Sequence, residues 1–523
     1  MDHTVRRALQ ACALGVACLA GATPAAAQPG GAADPGVDAR AAALRARVQV
    51  LAADSLGGRE TATRGADRAA AYLADAARAL GLGPAGDSGG FFQRVPLERR
   101  RVQASVTATG PRGTVELGPG EVVPLLFNFV PRRYRAQGGG QMYFGGYLQD
   151  RHTRDELVVN RERLVGRVPF FLTEPLPGTD VDSVLPPVFA VASLMNPRSG
   201  TAAVVFVAQG RLLQQMSWRA DQARKGQLGA PMPRREQDAP PVFLITPAAL
   251  ERVLGRPHDG GRVPHPTAAT LRYRLRDTVE AVEGHEVVAV LPGSDPRLRG
   301  EYVVLGAHYD HLGTGVPIGG DSVYNGADDN ASGVAALLEV AAAFAALPVE
   351  RRPARSLLFV WHAAEENGML GSAAFTENPP VPRDSMIAYI NLDMVARNHP
   401  DSLFVLGSRR LSTALGAAVE AANARQPRPF VLDYSRDAPG HPQSVYCRSD
   451  HVNFARYAIP VVFFTSGHHP EYHTPADQAE TLDYTKLARV VSLVRDLVAD
   501  LANAPGRPPL DQPPPRPGTP CRQ

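Results

Sequence analysis

Residues 302–313 read YVVLGAHYDHLG: an unbroken apolar run from Tyr302 to Ala307, then His308, Asp310 and His311. A run this short, apolar at successive positions and bounded by polar residues, predicts a β-strand buried on both faces. The pattern recurs downstream. SLLFVWHA (356–363) runs into Glu365 and Glu366, MIAYINLDM (386–394) carries Asp393 at its end, and IPVVFFTSG (459–467) runs into GHHPEYHT, which contains His473. EVVAVLPG (286–293) and SLFVLG (402–407) complete the strand set, and SGVAALLEVAAAFAAL, TALGAAVEAANA and KLARVVSLVRDLVADLAN read as helices between them. Near-continuous apolar strands alternating with helices predict an α/β fold, a mostly parallel central sheet flanked by helices.

Working outward, ALRARVQVLAAD and RGADRAAAYLADAARALGL predict two helices separated by SLGGRETAT (55–63), whose glycines and polar residues break the helical period. Residues 100–270 change character: QMYFGGY, AAVVFVA and PPVFLIT are short apolar runs between Gly, Pro and Arg clusters, predicting an inserted, mostly β unit. The divisions drawn from these shifts are a signal peptide (1–27), a disordered linker (28–39), an N-terminal helical part of the main domain (40–99), the inserted β-rich unit (100–274), the main α/β domain (275–503) and a Pro-rich disordered tail (504–523).

Arg6 and Arg7, a short Ala/Leu/Val-rich stretch and Ala25-Ala26-Ala27 predict an export signal cut after Ala27, since that stretch falls short of the about 20 residues a membrane span needs. The protein is therefore expected to be exported, periplasmic or secreted, with no stable membrane insertion afterwards. Cleavage removes Cys12 and Cys18. Cys447 and Cys521 remain, able to pair in an oxidising compartment, although a mobile tail around Cys521 argues against a stable bridge. With 55 basic against 52 acidic residues and no dense basic run, a nucleic-acid partner is not expected.

In an open α/β sheet, ligands gather outside the carboxyl ends of the strands. His308, Glu365, Glu366, Asp393 and His473 all belong to that edge, and Asp329 in NGADDNASG (325–333) stands just before a helix. Imidazoles and carboxylates without thiolates suit zinc or another divalent metal. Two histidines and three carboxylates exceed what one tetrahedral ion with an open position takes, and they fit two ions sharing a carboxylate. In an extended His-x-Asp segment, Asp310 is placed to accept the second ring N–H of His308. Of the adjacent Glu365 and Glu366, one is expected to ligate and the other to act as general base.

GAHYDHLG, NGADDNASG, AAEENGMLGS, NLDM and EYHTPADQ, in this order, resemble the M28 family of co-catalytic zinc peptidases. The resemblance implies two zinc ions per chain, His308 and Asp393 on one, Glu366 and His473 on the other, and Asp329 bridging them. Asp329, not Asp328, corresponds to the family's bridging Asp, which stands four residues before the Gly of the Ser-Gly pair, here Gly333. The resemblance makes Glu365 the base, and gives Tyr472 the task of hydrogen-bonding the scissile carbonyl as it becomes an oxyanion. Arg448, in CRSDH, becomes a candidate for the substrate terminus. His311, His468 and His469 are expected to line the site at most. GGGQMYFGGY, GTAAVVFVA and APPVFLITPAALERVL make the insert similar, more loosely, to a protease-associated domain that shapes access.

The implied function is an exported aminopeptidase acting on peptide substrates. A carboxypeptidase or dipeptidase of the same fold, a glutaminyl cyclase and a non-catalytic peptide-binding protein are the alternatives. The last is disfavoured because His308, Asp329, Glu365, Glu366, Asp393 and His473 are all present.

Overall fold

The structure, a computed structural model, describes residues 35–125, 134–148, 161–173, 194, 196–210, 213, 216–231, 238–258, 263–515 and 521. The expected signal peptide lies outside the described residues. Helices α1 (Pro35–Leu51) and α2 (Arg64–Ala79) are followed by strands β1 (Phe92–Gly110), β2 (Gln137–Tyr147), β3 (Val168–Leu172) and β4 (Val204–Val207). Next come α3 (Met216–Lys225), β5 (Val242–Ile245), β6 (His265–Leu291), β7 (Tyr302–His308) and the hairpin β8 (Gly313–Ile318) and β9 (Asp321–Tyr324). The chain continues through α4 (Gly333–Ala345), β10 (Ser356–His362), α5 (Leu370–Glu377), β11 (Met386–Leu392) and β12 (Ser402–Leu406). It closes with α6 (Thr413–Ala424), β13 (Val461–Thr465) and α7 (Tyr484–Asn503).

The main sheet has the order β12-β13-β11-β7-β10-β6. Its centre is parallel: β7 pairs in parallel with β10 and β11, and β11 with β13, while β12 and β6 add antiparallel flanks. Alternate residues of each strand enter opposite cores, as the apolar runs require. Leu305, Phe359, Trp361 and Ile390 pack beneath α1, α2, α4 and α7, whereas Val304, Leu358, Val360 and Tyr389 pack against Phe375 and Phe454. Local signals set the helix ends. The Asp483 carboxylate accepts the N–H of Lys486 to open α7, and Gly81, at φ +76°, follows α2.

The insert is β-rich, as the sequence predicts, and part of it is a parallel sheet. Its strands β2, β3, β4 and β5 pair in parallel, with α3 lying between β4 and β5 along the chain, and Phe144, Phe170 and Val205 on one face and Phe171, Phe206 and Leu244 on the other form cores of its own. The boundaries expected at 99/100 and 274/275 fall inside strands. β1 and β6 run unbroken from one unit into the other, paired antiparallel from Thr109↔Thr270 to Phe92↔Val287. No composition shift marks such a junction, because one strand serves two cores.

Two further expectations are corrected. The linker expected to reach residue 39 gives way to helix at Pro35, where proline suits a first helical turn and Asp38 complements its dipole. The tail expected to be disordered is strapped to the domain: Arg507 pairs with Glu301 at 2.7 Å, and the Asp511 carboxylate accepts the Thr413 N–H at 2.9 Å at the start of α6. Cys521 is disulfide-bonded to Cys447 across a sequence separation of 74 residues. Specific polar contacts override the extended tendency of a Pro-rich sequence. Among the described residues no helix is long and apolar enough to cross a membrane.

Loop-closure entropy for a bridge of this span amounts to about 4.5 kcal/mol at most. Cys521→Ser is therefore expected to lower the thermal midpoint by several degrees, and reductant is expected to bring the native chain down to the same midpoint. Equal midpoints for oxidised native and variant chains would show that the bridge stabilises nothing.

Candidate active site

The strand ends converge as the sequence predicts. His308 closes β7 and Asp393 follows β11, with His308 Nε2 3.3 Å from Asp393 Oδ1 and 3.4 Å from Asp329 Oδ1. The other oxygen of Asp329, Oδ2, lies 3.1 Å from His473 Nε2, which is also 3.2 Å from Glu366 Oε2. Each oxygen of Asp329 thus faces a different His–carboxylate pair. His311, expected only to line the site, does more: its Nδ1 donates to Glu366 Oε1 at 2.7 Å, which leaves Oε2 toward His473.

Asp310 requires a correction. The Nδ1 of His308 bonds the main-chain oxygen of Asp310 at 3.2 Å, while the Asp310 carboxylate stands 3.7 Å away. That carboxylate instead accepts the Glu365 N–H at 3.1 Å, joining the His308 loop to the Glu365 loop. Tyr472 stacks on His473 with ring centroids 3.8 Å apart, and on its other neighbour His468 at 4.4 Å. Arg448 is exposed and close enough to act electrostatically on both Tyr472 and His468. His469 lies behind the site, its Nδ1 3.1 Å from Glu471 Oε2.

Several residues that hold the site escaped the sequence reading. Asp477 accepts the N–H groups of both Asp328 and Asp329 at 3.0 to 3.1 Å, fixing the loop that carries Asp329. The wholly buried Arg59 guanidinium donates to the carbonyls of Tyr309, Leu51, Asn325 and Gly326. Thr61 Oγ1 accepts the Ala364 N–H at 2.9 Å, one residue before Glu365. Gly58 permits this approach: at φ +68°, a Cβ there would meet the Gly313 carbonyl at 2.3 Å. Asp477 has a legible signal, since it lies within the EYHTPADQ motif. Arg59 and Thr61 have none in spacing, because they lie far upstream.

The charges match the geometry. Burial opposes ionisation of Asp329, but His308 and His473 hold it well below the usual carboxylate range, and against the same opposition His473 and His311 take Glu366 down to about 2. Burial lowers His473, yet Glu366 and Asp329 raise it to about 10. Glu365 goes the other way: burial raises it, His308 opposes, and Asp450, Glu366 and Asp393 push it well above the carboxylate range. Burial, reinforced by Asp329, keeps the Tyr472 phenol protonated through neutral pH.

The donor set fits metal. His308, Asp329 and Asp393 offer atoms within 4.8 Å of one another, as do His311, Asp329 and Glu366. Separations of 3.1 to 3.4 Å between donors match the roughly 3.3 Å edge of a tetrahedron with zinc-length bonds. Four carboxylates drawn together, Asp329, Glu365, Glu366 and Asp393, call for a cation.

Comparison with known proteins agrees. Residues 286–498 match the model of peptidase family M28. The uncharacterized protein YfbL of Escherichia coli is 31% identical over 223 residues, which span 38% of this chain and 67% of that protein. The chain belongs to peptidase family M28. Among other family relatives, the probable leucine aminopeptidase 1 of Trichophyton verrucosum is 28% identical over 229 residues, 42% of this chain. The match spans only 58% of that protein's length. In fold, the chain is similar to an aminopeptidase from Aneurinibacillus sp. strain AM-1, with TM-score 0.58 and 19% identity over 92% of this chain and all of that one. It is similar also to a zinc aminopeptidase from Bacillus subtilis, with TM-score 0.56 and 17% identity, covering 89% of this chain and 96% of that one.

Two outcomes are expected. Asp477→Asn loosens the Asp329 loop and weakens zinc affinity about 10- to 100-fold, read by competition with a chromogenic chelator. Because metal must displace the proton that Glu366 and Asp329 hold on His473, the apparent zinc affinity of the metal-free protein climbs with pH between about 6 and 9. A pH-independent affinity would contradict that assignment.

Proposed function

We propose that the protein is an exported, metal-dependent aminopeptidase that removes N-terminal residues from peptides with two zinc ions. The observation that carries this reading is the pair of Asp329 oxygens facing separate His–carboxylate pairs. His308 and Asp393 would hold one ion, Glu366 and His473 the other, and Asp329 both. When bound, the metal supplies positive charge that polarises the scissile carbonyl and eases deprotonation of water. The names of the fungal relatives support an aminopeptidase, and the N/O donor set supports zinc.

The chain's own groups supply the rest. Glu365, pushed well above the usual carboxylate range by burial, takes the proton of the attacking water on its carboxylate and passes it to the leaving amine. Tyr472, a phenol that stays protonated, donates to the carbonyl oxygen as negative charge develops there. Asp310 holds the Glu365 main chain, and His311 holds Glu366. Carboxylates at the site receive the free α-ammonium of the substrate. The insert, whose Lys225 bonds the main-chain oxygen of Thr314 in β8, shapes the approach to the site. The exposed guanidinium of Arg448 favours one second reading, a carboxypeptidase whose substrate carboxylate it would receive.

Glu365→Gln is expected to keep zinc and lose about 10²- to 10⁴-fold in kcat; full turnover by that variant would end the mechanism. Tyr472→Phe is expected to lower kcat about 10²- to 10³-fold with zinc content unchanged. Chelation should abolish activity, and zinc returned stepwise should restore it fully at two equivalents. Hydrolysis of amino-acid arylamides but not of N-blocked peptides distinguishes the aminopeptidase from the carboxypeptidase.

A further inference from the structure

Behind Asp393, on the face of the sheet away from α4 and α7, a file of polar side chains from β11, β10 and β6, joined by Ser449, runs across the sheet. Asp393 Oδ2 lies 2.7 Å from Ser449 Oγ, Ser449 Oγ 2.7 Å from Asn391 Nδ2, and Asn391 Oδ1 3.0 Å from the Tyr389 hydroxyl. That hydroxyl is 3.0 Å from His362 Nε2, and His362 Nδ1 is 2.5 Å from Glu286 Oε2. Glu286 Oε1 accepts the Ala363 N–H at 3.0 Å. Glu286, His362, Tyr389, Asn391 and Ser449 are all 0% exposed. Space for them is made by glycine: a Cβ on Gly306 would sit 2.1 Å from the Tyr389 hydroxyl, and one on Gly371 2.0 Å from Glu286 Oε1. Aromatic rings flank the file, with Tyr389 stacked on Phe454 at 3.6 Å and His362 edge-on to Phe375, and the buried Asp450 acts electrostatically on it.

The direction of every hydrogen in this file is forced from its carboxylate end. An ionised carboxylate only accepts, so the one hydroxyl hydrogen of Ser449 is committed to Asp393. Ser449 must then accept from the Asn391 amide, which turns the Asn391 carbonyl toward Tyr389. The Tyr389 hydrogen is spent on that carbonyl, so Tyr389 accepts from His362, and His362 must carry a hydrogen on Nε2. A neutral imidazole with nothing at Nδ1 is free to move its hydrogen there, which would let Tyr389 donate backward and release Ser449. A neutral imidazole beside an ionised Glu286 would place its one hydrogen on Nδ1, so the file requires the Glu286–His362 pair to hold a second, shared proton. With that proton on the imidazole or on the carboxyl, Nδ1 is engaged and Nε2 remains the donor. Burial lowers the basicity of His362, but Glu286 and Asp450 outweigh it and raise it.

We infer that Glu286 and His362 are positioning residues for Asp393, acting through Tyr389, Asn391 and Ser449 to tie down Oδ2 and leave Oδ1, the oxygen beside His308, for the cation. The inference rests on the two-zinc reading and adds a determinant of metal affinity inside the sheet, remote from substrate.

The test uses the full chain, with zinc titrated against a chromogenic chelator and with kcat and KM measured separately. The native chain is measured first; failure to bind two zinc ions there would overturn the two-zinc reading itself, and this inference with it. Tyr389→Phe removes a single oxygen from the middle of the file, and Glu286→Met removes its anchor. Each is expected to weaken one of the two zinc equivalents about 10- to 100-fold and to lower kcat without raising KM. Glu286→Gln is expected to restore zinc affinity to within about threefold of native, because its amide donates to Nδ1 and keeps the hydrogen on Nε2. A merely packing role predicts the same thermal midpoint losses but no selective loss of one zinc, and no rescue by Gln. Native zinc affinity in Tyr389→Phe, or Glu286→Gln as impaired as Glu286→Met, would overturn the inference.

Discussion

The Asp329 carboxylate, 4% exposed and set between two imidazoles, is the constraint around which the carboxyl edge of the sheet is organised. A buried charge costs several kcal/mol unless it is paired and hydrogen-bonded. Here the pairing comes from His308 and His473, and the carboxylate keeps both oxygens directed outward only because the backbone beneath it is held by Asp477. His308 ends β7 and His473 lies in the loop that follows β13, so neither is placed without the sheet. Gly333 closes the arrangement: a Cβ at that position would lie 2.4 Å from the Leu392 carbonyl, so only glycine lets α4 start hard against the end of β11.

The same need explains why the N-terminal segment belongs to the catalytic unit, although the family match begins only at residue 286. Arg59 is a cation buried where cations are costly, and it answers that cost with hydrogen bonds to carbonyls from α1, from the end of β7 and from the loop before Asp329. Burial pulls its guanidinium down to about 10, and the nearby Asp310, Asp329 and Asp477 oppose the fall. It therefore stays charged at neutral pH, locking three segments and lending positive potential to an acidic pocket. Thr61, two residues on, does for the Glu365 loop what Arg59 does for the Asp329 loop.

How much of this was legible depends on how local each signal is. His308, Asp393 and Glu366 were readable because each follows an apolar strand whose period is unambiguous, and sheet topology brings strand ends together without further information. Asp329 and the division of labour between Glu365 and Glu366 needed family resemblance, since spacing alone does not choose between adjacent carboxylates. Arg59, Ser449 and the Glu286–His362 pair were invisible for a different reason. Their partners are side chains or carbonyls from distant elements, and His362 reads in sequence as one more residue of an apolar strand. The role of His311 does not show in sequence because it depends on which oxygen of Glu366 is left over. The docking of the tail is hidden from composition, which reports the tendency of an isolated segment, whereas Asp511 and Cys521 act through contacts with distant residues.

The ribbon of β1 and β6 carries a consequence for how such a chain can be rearranged. The insert leaves and returns to the peptidase on neighbouring antiparallel strands, opposite each other at every register position from Phe92↔Val287 outward. Cross-strand partners lie about 4.5 to 5.5 Å apart, a distance a two-residue turn closes. Severing the ribbon well outward of Glu286, for example at Arg101↔Thr278, and rejoining it with a tight turn would leave the peptidase backbone continuous and its sheet edge unaltered. The insert is thus a graft on the tip of a hairpin, removable or exchangeable without disturbing the strand order that assembles the site.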